Sequence, residues 1–564
     1  METVHMEPSF CFRRAFTTDG LKGMALLVTA MGATALYSKL HAQSEYDQRG
    51  IKRSKAGTYG TAGWMSEKEL REVMEITTPE NAQGTILGAV GRKVICLPKD
   101  TRLNRHIAII GASGTGKSRG FIRNHVLQCV KRGESIVVTD PKSELYADLS
   151  DYLRQEGYQV KVLNLVDPVH SDSWNCMADL QGDTLMAQVL ADVIINNTSE
   201  GKGDHFWDNG EGNLLKSLIL YVDQNQALGR ARKHLPEVYR LLTQLDERRL
   251  SELMDRLPLE HPAKAPYNLY HQSSDTVRSG ILLGLGTRLQ VLQNRQIQRI
   301  TSRSDIDLAE PAQSRCAYFV ILSDQDGTMD FLSSLFFSFL FIRLVRFADM
   351  QPNGRCPVPV NLVLDEFNNI GTIGGNGGRD FARSISTLRS RAVQISLCVQ
   401  SLPQLQNRYP NGLWAEIMGN CDTQLMLGCT DEVTAEFVSS RAGDMTVEVP
   451  STSTTRQTLA IAQMIPQYRY TEGLGRRRVL TADEVLRLPN EDVIIMLRGQ
   501  NVLRARKFDY SLHPAAKRLS RSSIQDYVST GVHYEPVNEP APAETVRRQP
   551  LGGLYETTMP PENF

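Results

Sequence analysis

The run GASGTGKS at 111–118 carries the most specific chemistry in the chain. It fits the phosphate-loop pattern G-x-x-x-x-G-K-[ST] in full, with an apolar stretch (HIAII) before it and a helical pattern (FIRNHVLQCV) after it. Gly111, Gly114 and Gly116 let the backbone curl so that its N–H groups, with those of Ser113 and Thr115, face phosphate oxygens. The helix that follows adds its positive end. Lys117 is suited to reach the β- and γ-phosphates of ATP, and Ser118 to ligate Mg²⁺. A chance Gly/Ser turn is the bland alternative, and the flanking strand and helix count against it.

Such a loop needs an acidic partner, and VNLVLDE at 360–366 supplies one. An apolar strand there ends in two carboxylates, at the sheet edge where ligands bind. Asp365 is suited to hold Mg²⁺ with its water, and Glu366 to orient or deprotonate an attacking water. A small-molecule kinase does not need the second carboxylate; a hydrolysing motor does. A third run, 393–399, ends in Gln400, which can hydrogen-bond the γ-phosphate or the water, or merely cap the next helix. Before it stands LRSR at 388–391. Arg389 or Arg391, offered by a neighbouring subunit, can neutralise transition-state charge; the alternative is a surface charge pair.

Other clusters are weaker. Arg476, Arg477 and Arg478 can touch a phosphate backbone, but adjacent arginines are more often a solvated loop. Arg230, Arg232, Lys233 and His234 read the same way. HFWD at 205–208 reads as an aromatic staple at a helix start, packed into a core. No His/Cys/Asp cluster has metal-ligand spacing.

The elements that position these residues are short runs rich in Val and Ile at 106–110, 135–139, 160–163, 317–322, 360–364, 393–399, 423–427 and 493–497. Continuous apolar strands alternating with helices predict a mostly parallel sheet covered on both faces, an α/β fold. The alternation breaks between about 183 and 300, where helices are expected at 185–196, 213–222, 235–245, 250–256 and 276–293. The expected organisation is an N-terminal segment with linker (1–54), a nucleotide-binding domain in two parts (55–182 and 301–510), an all-helical insertion (183–300), and a disordered polar tail (511–564).

Lys plus Arg and Asp plus Glu both number 63 among 564 residues, so any nucleic-acid contact must be local, in a groove or pore. The nine cysteines form no C-x-x-C pair and read as buried reduced thiols of a cytosolic domain. Residues 23–38 are apolar and charge-free but short for a spanning helix. A membrane anchor, a packed or interfacial helix and a signal peptide stay open. If the run spans, flanking basic residues place the main body in the cytoplasm.

With these residues the chain resembles the type IV secretion coupling proteins, the TraG/TraD-like conjugative DNA-transfer ATPases, in the branch of Gram-positive mobile elements. The matching stretches are YGTAGWM at 59–65, the loop at 111–118, VTDPKSELY at 138–146, FW at 206–207, LVLDEFNNIG at 362–371, TLRSR at 387–391, VQS at 399–401 and MGNCD at 418–422. The resemblance implies a RecA-like domain with an all-helical insertion, a ring of six subunits at the inner membrane face, and ATP hydrolysis. That hydrolysis moves single-stranded DNA with its relaxase towards other secretion components. It also marks Asp140 and Lys142 as site residues. Position 143 is Ser where Gly is common in this branch, a change expected to be tolerated. Two other readings are carried: a double-stranded DNA translocase of segregation or packaging type, and a docking receptor with little ATPase activity.

Overall fold

The computed structural model describes residues 49–199, 205–325, 327–455 and 467–529, with scattered positions between 22 and 32. The strands among them are β1 (Glu75–Thr77), β2 (Thr85–Val90), β3 (Lys93–Leu97), β4 (Ile107–Gly111), β5 (Ser135–Thr139), β6 (Gln159–Asn164) and β7 (Cys316–Ile321). They continue with β8 (Val360–Leu364), β9 (Val393–Val399), β10 (Thr423–Gly428), β11 (Asp444–Thr455), β12 (Gln467–Arg478), β13 (Asp492–Leu497) and β14 (Leu503–Arg506).

The chain divides into two units, 65–435 with 483–564 and 1–64 with 436–482. The first holds a twelve-stranded sheet in the order β1-β3-β2-β14-β13-β10-β4-β9-β8-β5-β7-β6. From β10 to β6 every neighbouring pair is parallel. All eight expected strands are present, and the fold is the α/β class read from the sequence. One departs from the parallel set: β13 runs antiparallel to β10 and begins an antiparallel extension through β14, β2, β3 and β1.

Every residue of β4, β5, β7 and β8 is buried. That explains their continuous rather than alternating apolar character: both faces are covered. Ile107 and Ile109 join a core with Val126, Leu127 and Val130 of the helix Arg123–Arg132 and with Leu145, Leu149 and Leu153 of the helix Glu144–Gln155. The helix Asp330–Asp349 buries Phe331, Phe336, Phe337 and Phe339 completely. Truncating one such ring to alanine typically costs about 3–5 kcal/mol. Among the described residues this is the stretch long and apolar enough to cross a membrane, yet 72% of its apolar window is buried in the fold, so it is a core helix.

From Thr184 to Thr301 the described chain is helical and carries no strand. The helices Thr184–Thr198, Leu235–Gln244 and Asp275–Arg288 fall on the expected runs. Phe206 and Trp207 open the helix His205–Gln224 but are 53% and 39% exposed, so they are not the core staple the sequence suggested. Arg232 pairs with Glu237, and His234 Nδ1 accepts from Glu237 N, capping its helix. The chain beyond 510, expected to be a disordered tail, is ordered through 529: Tyr527 and Ser529 both hydrogen-bond the buried carboxylate of Asp172. The rest of the expected tail lies outside the described residues.

In the second unit β11 and β12 form a long antiparallel hairpin. The three arginines at 476–478 end β12 rather than forming a loop; Arg476 pairs with Asp444 and Arg478 with Glu436. Of the apolar run at 23–38, positions 23, 25, 26, 28, 29, 31 and 32 are helical and exposed, and the others lie outside the described residues. Eight cysteines are buried and unpaired; Cys11 is outside the described residues.

Candidate functional site

Four parallel strands end side by side. The register pairs Ile110 with Val399, Leu364 with Leu397, and Val138 with Val363. The residues that follow these ends (Gly111 onwards, Gln400, Asp365 with Glu366, and Asp140) therefore converge on one sheet edge. A cavity of about 400 Å³ opens there, and Ser113, Gly114, Lys117, Ser118, Asp140 and Asp365 all line it.

The loop after β4 turns through positive φ at Gly114 and Gly116, both +79°, a backbone that only glycine adopts freely. At Gly111 a Cβ would stand 2.6 Å from Thr115 Oγ1, so the crowding forbids a side chain. Ala112 N donates to Gly428 O at the end of β10, and Thr115 Oγ1 donates back to Ala112 O. The first helical turn, Ser118–Ile122, has no side-chain cap. Gly120 N donates to Gly116 O at 2.7 Å, so the donors this helix start can offer an anion are the N–H groups of Ser118 and Arg119.

Lys117 is 7% exposed. Its Nζ donates to Gly111 O at 2.9 Å and lies 3.2 Å from Glu366 Oε1. The other carboxylate oxygen, Glu366 Oε2, accepts from Gln400 Nε2 at 2.7 Å. Lysine, glutamate and glutamine thus form one chain of contacts. Glu366 sits in the left-handed region at φ +48°, strained backbone for a residue with a Cβ. The turn swings its carboxylate back over Lys117, while its own N–H donates to Asp365 Oδ1.

Asp365 and Asp140 are both buried. Burial, with Glu366 next to it and Lys117 opposing, pushes the Asp365 carboxyl up to about 6; burial, opposed by the Tyr146 N–H and helped by the Asp365 charge, pushes Asp140 up to about 7. Asp140 also explains its own position. The helix Glu144–Gln155 has no side-chain cap at Ser143, which stands at φ +56°. Asp140 Oδ2 instead accepts from Tyr146 N at 2.7 Å. The left-handed backbone is why glycine suits position 143 and why serine there carries a modest strain.

A test follows from the sign of the Asp140 shift. Its folded-state pKa lies above the unfolded value, so the stabilisation from its proton is present below about pH 4 and lost as pH rises through about 7. Asp140→Asn copies the protonated form and can still accept from Tyr146. Its melting temperature relative to wild type is expected to climb between pH 5.5 and pH 8; a difference independent of pH would overturn this.

Arg389 and Arg391 are not brought to the cavity. They lie before β9, at the opposite end from Gln400, about 20 Å away at roughly 3.3 Å per residue. Arg391 is held by Asp349, its Nε 2.9 Å from Oδ1, whereas exposed Arg389 donates to the carbonyl of Arg102. Lys142 is exposed at the mouth, bordering this cavity and a second one of about 480 Å³ beside Gln400.

Sequence reasoning missed Arg123, Lys507 and Tyr510. Arg123 is buried, pairs with Asp148 at 2.6 Å and lies over the Tyr510 ring at 5.1 Å; both border the cavity. Lys507 Nζ donates to the carbonyls of Thr115 and Leu427 at 2.8 Å and of Asn490 at 2.6 Å, which clamps the phosphate loop from behind. Arg123 opens a helix whose pattern is otherwise read as core, and Lys507 and Tyr510 stand in the KFDY stretch after β14; neither place carries a motif.

A cation fits the donor set. The hydroxyl of Ser118 and the carboxylate of Asp365 share the cavity, hard oxygen ligands of the kind Mg²⁺ takes alongside phosphate and water. Among the described residues no group of three His, Cys, Asp or Glu is arranged to hold a metal alone.

The family model described as Type IV secretory system Conjugative DNA transfer matches residues 57–531. VirD4 of Agrobacterium fabrum is 22% identical over 522 residues, 88% of this chain and 73% of that protein. The type IV secretion system-coupling protein VirD4 of Bartonella quintana is 21% identical over 505 residues, covering 82% and 74%. Among solved structures, the plasmid coupling protein TrwB in complex with ADP and Mg²⁺ is similar at a TM-score of 0.60 and 17% identity, over 83% of this chain and 96% of that one.

Proposed function

The chain belongs to the Type IV secretory system conjugative DNA transfer family and is a coupling protein of such a system, and from that premise we propose that it is an ATP-hydrolysing motor for single-stranded DNA. The carrying observation is the joined set Lys117, Glu366 and Gln400 beside an uncapped helix start. In this reading the loop N–H groups cradle the phosphates and Lys117 holds the β- and γ-oxygens. Ser118 and Asp365 would hold Mg²⁺, which supplies charge neutralisation on the phosphates when bound. Glu366 leaves Lys117 as the γ-phosphate takes its place, and then accepts a proton from the attacking water. Gln400, bonded to Glu366, is placed to register whether the γ-phosphate is present.

The ATP and Mg²⁺ reading is supported by the fit of the donor set and by the TrwB structure that carries ADP and Mg²⁺. We propose a ring of six subunits, anchored by the run at 23–38 with its main body on the cytoplasmic side, which recruits a relaxase–DNA complex for the other secretion components. Fractionating cells that make the chain with and without residues 1–50 tests the anchor.

The deciding experiment measures ATPase of the full chain alone, with single-stranded DNA and with duplex DNA. Stimulation by single strands supports the motor. Preferential stimulation by duplex favours the double-stranded translocase, and absence of hydrolysis with intact relaxase binding favours a docking receptor.

The arginines lie too far from their own subunit's cavity to serve it, so any finger acts on a neighbour. Arg389, exposed and donating to the carbonyl of Arg102, is the better candidate than Asp349-bound Arg391. Arg389→Ala and Lys117→Ala subunits, each inactive alone, are expected to regain a fraction of ATPase when mixed. No recovery would remove Arg389 from the site.

A further inference from the structure

We infer that residues 507–510 form the nucleobase end of the nucleotide site, with Tyr510 as the stacking residue. The inference rests on the ATP reading above and adds where the base lies.

Four consecutive residues are stitched to the phosphate loop and its helix. Lys507 donates to Thr115 O, Phe508 O accepts from Asn124 Nδ2 at 2.7 Å, Asp509 pairs with Arg119, and Tyr510 lies under the Arg123 guanidinium. The segment therefore moves with the phosphate loop. It then borders a third cavity of about 300 Å³, shared by Tyr510, Ser511, Leu519 and Arg521.

Direction along the cavity assigns the occupant. A phosphate loop holds the α- and β-phosphates on its N–H groups, and its lysine reaches towards γ. Here Lys117 contacts Glu366, so the γ-phosphate end is the Glu366 and Gln400 side. The α-phosphate end is then the side of Ser118 and Arg119, and the ribose and base must leave the cavity there. The aromatic ring on that side, among the residues lining the cavity, is Tyr510. A half-buried phenol offers a base an apolar face that is already ordered. Removing such a ring costs roughly 1–3 kcal/mol per base, equivalent to about 5- to 150-fold in affinity.

The test compares ATP with inorganic tripolyphosphate, which has the phosphates and no base. Affinities of both are measured by calorimetry on the full chain with Mg²⁺, for wild type, Tyr510→Ala, Tyr510→Phe and Lys117→Ala. Tyr510→Ala is expected to weaken ATP about tenfold and leave tripolyphosphate unchanged, with Tyr510→Phe restoring ATP. An equal loss for both ligands means Tyr510 only braces the loop and overturns the inference, as does no loss for either. Lys117→Ala should lose both ligands. If wild type binds neither, the nucleotide reading itself falls and carries this one with it.

Discussion

Lys117→Ala is expected to abolish ATP turnover, by at least about 10³-fold, and DNA transfer with it. Removing a single neutral donor aimed at developing charge already costs about 10²–10³ in rate. Lys117 brings a full positive charge, buried, where screening by water is weak. Its Nζ also ties Gly111 O to Glu366, so the variant frees the acid from its partner. Asp140, Asp365 and Glu366 then share one cavity with only Arg123 and the exposed cations at its mouth to offset them. Bound phosphate would add further negative charge there, so nucleotide affinity should fall as well as rate. Steady-state ATPase and equilibrium nucleotide binding check both; wild-type turnover in this variant would sink the assignment.

Glu366→Gln is expected to separate binding from hydrolysis. The amide keeps the size of the side chain and can still accept from Gln400, but it cannot take a proton. General-base catalysis contributes about 10²–10⁴-fold, and that is the expected loss in turnover. Removing a negative charge beside the γ-phosphate position should hold ATP affinity or raise it. The variant should therefore collect ATP, detectable as unhydrolysed nucleotide in a filter-binding assay while product formation stalls. Loss of binding equal to the loss of turnover would show that Glu366 supports the cavity's shape rather than the chemistry.

Much of this arrangement could be read from the chain. The strands that build the site are buried on both faces, so their sequences are unbroken apolar runs, and the charged residues at 365 and 366 stand out where each run stops. The antiparallel extension was harder. β1 and β14 are short and partly exposed, and β14 reads simply as LRAR. The β11–β12 hairpin alternates at Met445, Val447 and Val449, but that short pattern runs out into Ser, Thr and Arg. Lys507 and Tyr510 lie nearly 400 positions from the loop they brace, and only the closing of the sheet brings them there. Ser143 illustrates the opposite case: its departure from glycine was visible in the sequence, but the left-handed backbone that explains it was not.

The helical excursion has a consequence of its own. The chain leaves the sheet after β6 and returns at β7, and those two strands bond each other over six paired residues from Gln159 to Asn164. Both lie at the margin furthest from the antiparallel extension, and β6 is the outermost strand. A detour between adjacent lanes leaves the order of all the others untouched. That helical stretch can therefore be lengthened, trimmed or exchanged while the order of the strands that carry the cavity stays as it is.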